Sequence, residues 1–176
     1  IGTDVGLRFK SNRGRGGVVE NIYISNIIMK DIPTDPLLFD LFYGGKSAIE
    51  AEDDETPSIT TNGIPTVNEE TPSFRNIFIE NIISSNSNRA MYFNGLPEMK
   101  VDNVKVKNSV FSSKIGAVIN QSTNVELKDI IINNKTGDNV EIQNVDNGTF
   151  INITDRNEKP GRIKQSGKNT NIVIKN

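Results

Sequence analysis

Neither cysteine nor histidine occurs among the 176 residues. The first absence removes disulfides and thiolate metal sites but leaves the compartment open. The second removes the commonest general base and metal ligand. An excess of positive charge is also missing: Lys and Arg total 20 against 22 Asp and Glu, a formal net charge of −2. Such a balance argues against a general polyanion binder and against nucleic acid as a partner, so any anion recognition must be local. No apolar run approaches the roughly 18 residues of a membrane span and no signal-peptide pattern is visible, so the chain reads as soluble with no membrane partner. It opens at Ile1, without methionine, and runs straight into strand-like sequence. That start is expected of a segment excised from something longer.

What the chain has in abundance is asparagine beside β-branched residues. Asn21-Ile22-Tyr23-Ile24-Ser25-Asn26-Ile27, Asn76-Ile77-Phe78-Ile79-Glu80-Asn81-Ile82 and Asn103-Val104-Lys105-Val106-Lys107-Asn108 share one rhythm. Asn124-Val125-Glu126-Leu127-Lys128-Asp129-Ile130, Asn139-Val140-Glu141-Ile142-Gln143-Asn144-Val145 and Asn171-Ile172-Val173-Ile174-Lys175-Asn176 continue it. These alternations predict period-two strands. Shorter β runs at 6–10, 37–43, 90–94 and 116–120 lie between them. Repeats of roughly 20 to 30 residues with few helix signals predict a solenoid, specifically a right-handed single-stranded parallel β-helix forming one all-β domain over 1–176. The asparagines suit left-handed turns and can hydrogen-bond between rungs.

Two segments break the rhythm. Residues 44–73 carry three prolines and the acidic run Glu50-Ala51-Glu52-Asp53-Asp54-Glu55, which predicts an inserted surface loop. The run lacks the spaced ligands and turn glycine of a compact calcium loop, so no metal or cofactor is expected. Residues 155–176 are charged and turn-rich at first, and predict a cap or tail.

The stretch richest in chemistry is Gly6-Leu7-Arg8-Phe9-Lys10-Ser11, followed by Gly14-Arg15-Gly16-Gly17 and Asn21-Ile22. Alternation along a strand puts Arg8 and Lys10 on one side, roughly 6 to 7 Å apart, with Leu7 and Phe9 on the other. A guanidinium fork beside an ammonium can grip one acidic group from two directions. Arg13 and Arg15, spaced by glycines, read as solvated turn arginines that could add positive potential.

These residues resemble glycoside hydrolase family 28, the polygalacturonases and related pectin-degrading hydrolases. The first segment is similar to that family's Arg-Ile-Lys motif, with Phe9 replacing isoleucine. Leu38-Phe39-Asp40-Leu41-Phe42-Tyr43-Gly44-Gly45 and Asn94-Gly95-Leu96-Pro97-Glu98-Met99 resemble downstream segments of bacterial members. The resemblance extends to about residue 130. It implies a parallel β-helix that hydrolyses α-linked galacturonides with inversion, one carboxylic acid protonating the leaving oxygen and a carboxylate activating water, roughly 6.5 to 9.5 Å apart. It also implies that Arg8 and Lys10 bind the galacturonate carboxylate and that Tyr43 contacts sugar.

The family's Asn-Thr-Asp, Asp-Asp and Gly-His-Gly motifs, which normally precede Arg-Ile-Lys, are not found here. Thr3-Asp4 follows Gly2 and stands too close to Arg8 to serve, and Asp53-Asp54 lies downstream in the acidic loop. The expectation is a C-terminal portion of such an enzyme, incomplete at its N-terminal end, with substrate-binding residues Arg8, Lys10 and Tyr43, no catalytic residue of its own, and no activity alone. Its partner would be an acidic polysaccharide or oligogalacturonide, and export to periplasm or exterior follows from the resemblance. An open N-terminal end would also invite self-association. Arg162-Ile163-Lys164 spells the family motif literally but lacks the glycine turn and Asn-Ile strand, and reads as a late strand or cap. The alternative function is a non-catalytic β-helix that binds acidic glycans or acts as a spacer.

Overall fold

The computed structural model describes residues 1–42 and 63–175. Tyr43, the acidic run and most of the predicted inserted loop lie outside the described residues. Among the described residues nine strands form one sheet: β1 (Leu7–Lys10), β2 (Val18–Lys30), β3 (Leu37–Asp40), β4 (Ser73–Asn94), β5 (Val101–Thr123), β6 (Glu126–Asp146), β7 (Thr149–Thr154), β8 (Ile163–Ser166) and β9 (Val173–Lys175). Every pairing between them is parallel, with β1 on β3, β2 and β3 on β4, then β4 on β5, β5 on β6, β6 on β7 and β8, and β7 on β9. Among the described residues there is no helix, hence none long and apolar enough to cross a membrane. Long bent strands stacked rung on rung in parallel register are consistent with a parallel β-helix.

The bends come from asparagine. Asn21, Asn26 and Asp31 in β2 and just after it, and Asn76, Asn81 and Asn86 in β4, all have φ between 55° and 60°. Side chains other than glycine, asparagine and aspartate rarely enter that left-handed region. The five-residue spacing leaves four extended residues between corners, enough for one flat side of a rung. Runs that the sequence separates, such as 76–82 and 90–94, therefore belong to one continuous β4.

At these corners each later rung donates to the earlier one. Asn76 Nδ2 donates to Asn21 Oδ1 at 3.2 Å, and Asn103 Nδ2 to Asn76 Oδ1 at 2.8 Å. Asn81 donates to Asn26, Asn86 to Asp31, Asn147 to Asn124, Asn152 to Asp129 and Asn171 to Asn147.

Between the corners, alternation sends apolar residues inward. Ile24, Ile79, Val106, Leu127 and Phe150 stack in one column. Phe9, Phe39, Phe93, Ile119 and Ile142 stack in another. The Phe9 and Phe39 rings lie parallel with centroids 4.6 Å apart, and Phe93 meets Phe39 edge-on at 4.7 Å. This aromatic column anchors β1 and so fixes the direction in which Arg8 and Lys10 point.

Candidate functional site

The outer face of β1 and the strands stacked beneath it presents two columns of side chains. Under Arg8 come Leu38, Tyr92, Val118, Glu141 and Lys164, and under Lys10 come Asp40, Asn94, Asn120, Gln143 and Ser166. Leu7 and Phe9 pack against the core while Arg8 and Lys10 are exposed, so the two cations share the outward side of one strand.

Arg8 already holds a carboxylate. Its Nη2 donates to Asp4 Oδ2 at 2.5 Å, and the Asp4 side chain is 69% exposed. The Thr34 hydroxyl donates to the Asp4 carbonyl, which ties the Asp4 backbone to the loop entering β3. Below Lys10, Asp40 Oδ1 accepts from Phe42 N and from Asn94 Nδ2, each at 3.0 Å. Asn120 Nδ2 donates in turn to Asn94 Oδ1 at 3.3 Å, which makes a short amide ladder on this face.

Beside the columns, Arg89 bridges a buried carboxylate and a half-buried ring. Its guanidinium lies 4.1 Å from the Tyr92 ring centroid, and its Nε is 3.6 Å from Asp35 Oδ1. Burial pushes the Asp35 carboxyl up from its ordinary value; Arg89 opposes the rise and the charges of Asp40 and Asp4 add to it. Burial also raises the Tyr92 phenol, with Asp40 reinforcing and Arg89 opposing. Asp4, Asp35 and Asp40 thus set a negative potential along the flank of the cation pair, and Arg89 partly cancels it.

The predicted residues separate as follows. Arg8 and Lys10 come together on one face, while Tyr43 lies outside the described residues. Arg13 is a clamp: its Nε and Nη2 meet the two Glu98 carboxylate oxygens at 2.5 and 2.8 Å, and it lies 5.2 Å from the Phe42 ring centroid. Arg15 is exposed in the turn. That turn needs its glycine, because Gly16 has φ +60° and a Cβ there would strike the Glu69 carbonyl oxygen. Lys164 lies outward in the Arg8 column, whereas the Arg162 backbone pairs with Asn139 and Val140, two residues earlier in register than Arg8. The literal Arg-Ile-Lys is therefore offset by two residues from Arg8-Phe9-Lys10.

Asp35, Arg89 and Tyr92 are partners the sequence reading did not single out, and Asp4, set aside there as a catalytic remnant, is the partner of Arg8. Superposing Arg8-Phe9-Lys10, Leu38-Phe39-Asp40 and Tyr92-Phe93-Asn94 on their central phenylalanines would have revealed the outward columns. Among the described residues no group of three or more acidic side chains could hold a metal ion. No protein-family model matches the chain, and no curated protein or solved structure matches it.

Proposed function

We propose that this chain carries the uronate-binding coils of a secreted, polygalacturonase-like glycoside hydrolase, a right-handed parallel β-helix acting on α-linked galacturonides with inversion. Right-handedness is supported by the strong preference of parallel crossover connections for that hand. In this reading the acid and base come from coils outside the chain, since the family's three acidic and histidine motifs are not found within it. Arg8 supplies a planar fork and Lys10 a point charge to one sugar carboxylate, and Tyr43 adds an apolar ring to a pyranose face.

The observation that carries the reading is the Arg8–Asp4 pair. It presents a guanidinium on an exposed strand face, with a carboxylate at 2.5 Å and a lysine two residues on. A galacturonate carboxylate has the same chemistry as the Asp4 side chain and would compete for the same donors. Calorimetric titration with trigalacturonate tests it. Binding should fall about tenfold in Arg8→Ala, the loss of one charge-assisted pair of roughly 1.5 kcal/mol. Binding of the fully methyl-esterified trimer as tight as that of the acid, or an unaffected Arg8→Ala variant, would refute it.

The second reading, a non-catalytic β-helix that binds acidic glycans, is favoured by the lack of histidine and of the paired catalytic aspartates. The two part at turnover. Release of β-configured reducing ends from polygalacturonate by the full-length protein supports the hydrolase, and binding without cleavage supports the module.

A further inference from the structure

A groove of about 820 Å3 runs along residues 112–114 of β5, 133–139 of β6 and the segment 155–162 that follows β7. Arg8, Lys10, Asp40 and Tyr92 are not among its lining residues. Its charged lining consists of Lys114, Lys135, Arg156, Lys159 and Arg162 against a single acid, Asp155. On a chain with a net charge of −2, this is a strong local concentration of positive charge.

Several of these cations are uncommitted. Arg162 is held by Asp138 at 3.2 Å and by the Gly137 carbonyl at 2.8 Å. Lys114, Lys135 and Arg156 are exposed and form no ion pair among the described residues. Asp155 Oδ1 accepts from the Lys159 and Asn157 backbone N–H groups at 3.1 and 2.7 Å. Lys114 and Lys135 stand on adjacent strands, between the paired residues Ser113–Asn134 and Ile115–Thr136. Like charges set directly across neighbouring strands repel, so an anion lying over both would be stabilised. Lys159 lies in the segment between β7 and β8 and lines the same groove, adding a further positive charge to it.

We infer that this groove binds an anionic oligosaccharide, independently of the Arg8 face. Its walls carry hydroxyl and amide groups, among them Ser112, Thr136 and Asn157, of the types that donate to and accept from sugar hydroxyls, while the Asn134 amide is already bonded to the Thr136, Gly137 and Asp138 carbonyls and to Asn139 Nδ2. Among the described residues no aromatic side chain lines it. A single-stranded nucleic acid would find no surface on which to stack its bases. Carboxylate and sulfate ester groups share the required chemistry, and the experiment separates them.

The test uses the full chain carrying Arg8→Ala and Lys10→Ala, so that only the groove is read. Calorimetric titration employs a galacturonate hexamer, a sulfated hexasaccharide and an oligothymidylate. At least one acidic sugar should bind, and Lys114→Gln/Lys135→Gln/Arg156→Gln added to this background should weaken it at least tenfold. The single Lys135→Glu substitution, at an exposed position of β6, should weaken it in the same direction. Preference for the hexuronate or the sulfated probe assigns the acid group. The inference falls if neither sugar binds in the Arg8→Ala/Lys10→Ala background, if the groove variants bind like their parent, or if the oligothymidylate binds as tightly as the better sugar. Loss of binding to both acidic sugars in that background would overturn the groove while leaving the Arg8 reading intact.

Discussion

A carboxylate placed within reach of a binding arginine both demonstrates the geometry and competes with the ligand. Asp4 is mostly exposed, so its pair with Arg8 is screened and contributes about 0.2–1 kcal/mol. Asp4→Ala should therefore strengthen trigalacturonate binding by roughly two- to fivefold at low salt, with the gain shrinking as salt is added. A titration in which Asp4→Ala weakens binding would make Asp4 part of the binding surface instead of a competitor. At this scale the sequence was partly legible. Strand alternation is enough to place Arg8 and Lys10 outward and Phe9 inward. The partnership with Asp4 is not readable in the same way, because it depends on the chain before β1 being drawn back by Thr34, a residue of the next coil. Arg13 shows the same limit, since its carboxylate partner Glu98 is 85 positions away.

Strands and corners were the most legible features, because asparagine marks most bends, with Asp31, Gln121 and Asp129 at others. Asparagine does two jobs at a corner: it tolerates positive φ and it hydrogen-bonds along the ladder. Asn76 has φ 55°, donates to Asn21 and accepts from Asn103. Replacing it with alanine removes both functions and should cost about 1–3 kcal/mol, whereas glycine keeps the left-handed turn and loses only the ladder bonds. Urea unfolding should then rank the proteins wild type, Asn76→Gly, Asn76→Ala in falling stability. Equal losses for the two variants would show that the ladder alone matters, and no loss in either would show that these amides add nothing. The lengths of the elements were harder to read. Asn86 lies inside β4 and its side chain bonds to Asp31, so a corner that reads as a strand end is a bend within a continuous strand.

Across the whole molecule, stacking leaves its two ends unequal. At one end β8 and β9 offer four and three residues. At the other, β1 pairs only with β3, and the thirteen residues of β2 pair only with β4, so a long row of backbone donors and acceptors faces outward among the described residues. Large apolar side chains accompany that edge: Tyr23 is 77% exposed and Ile28 is 79% exposed. Phe78 covers one face of the Tyr23 ring, with centroids 5.0 Å apart. A twisted, charged or proline-bearing edge resists pairing, but β2 carries no proline and only Glu20 and Lys30 as charged residues. The expected outcome is association between copies through β2, visible as a sedimentation coefficient that rises with protein concentration. Ile28→Lys should suppress it by setting a like charge on each apposed edge. A coefficient that stays constant over a hundredfold range of concentration would mean that the edge is protected in solution, and would remove β2 as a docking surface.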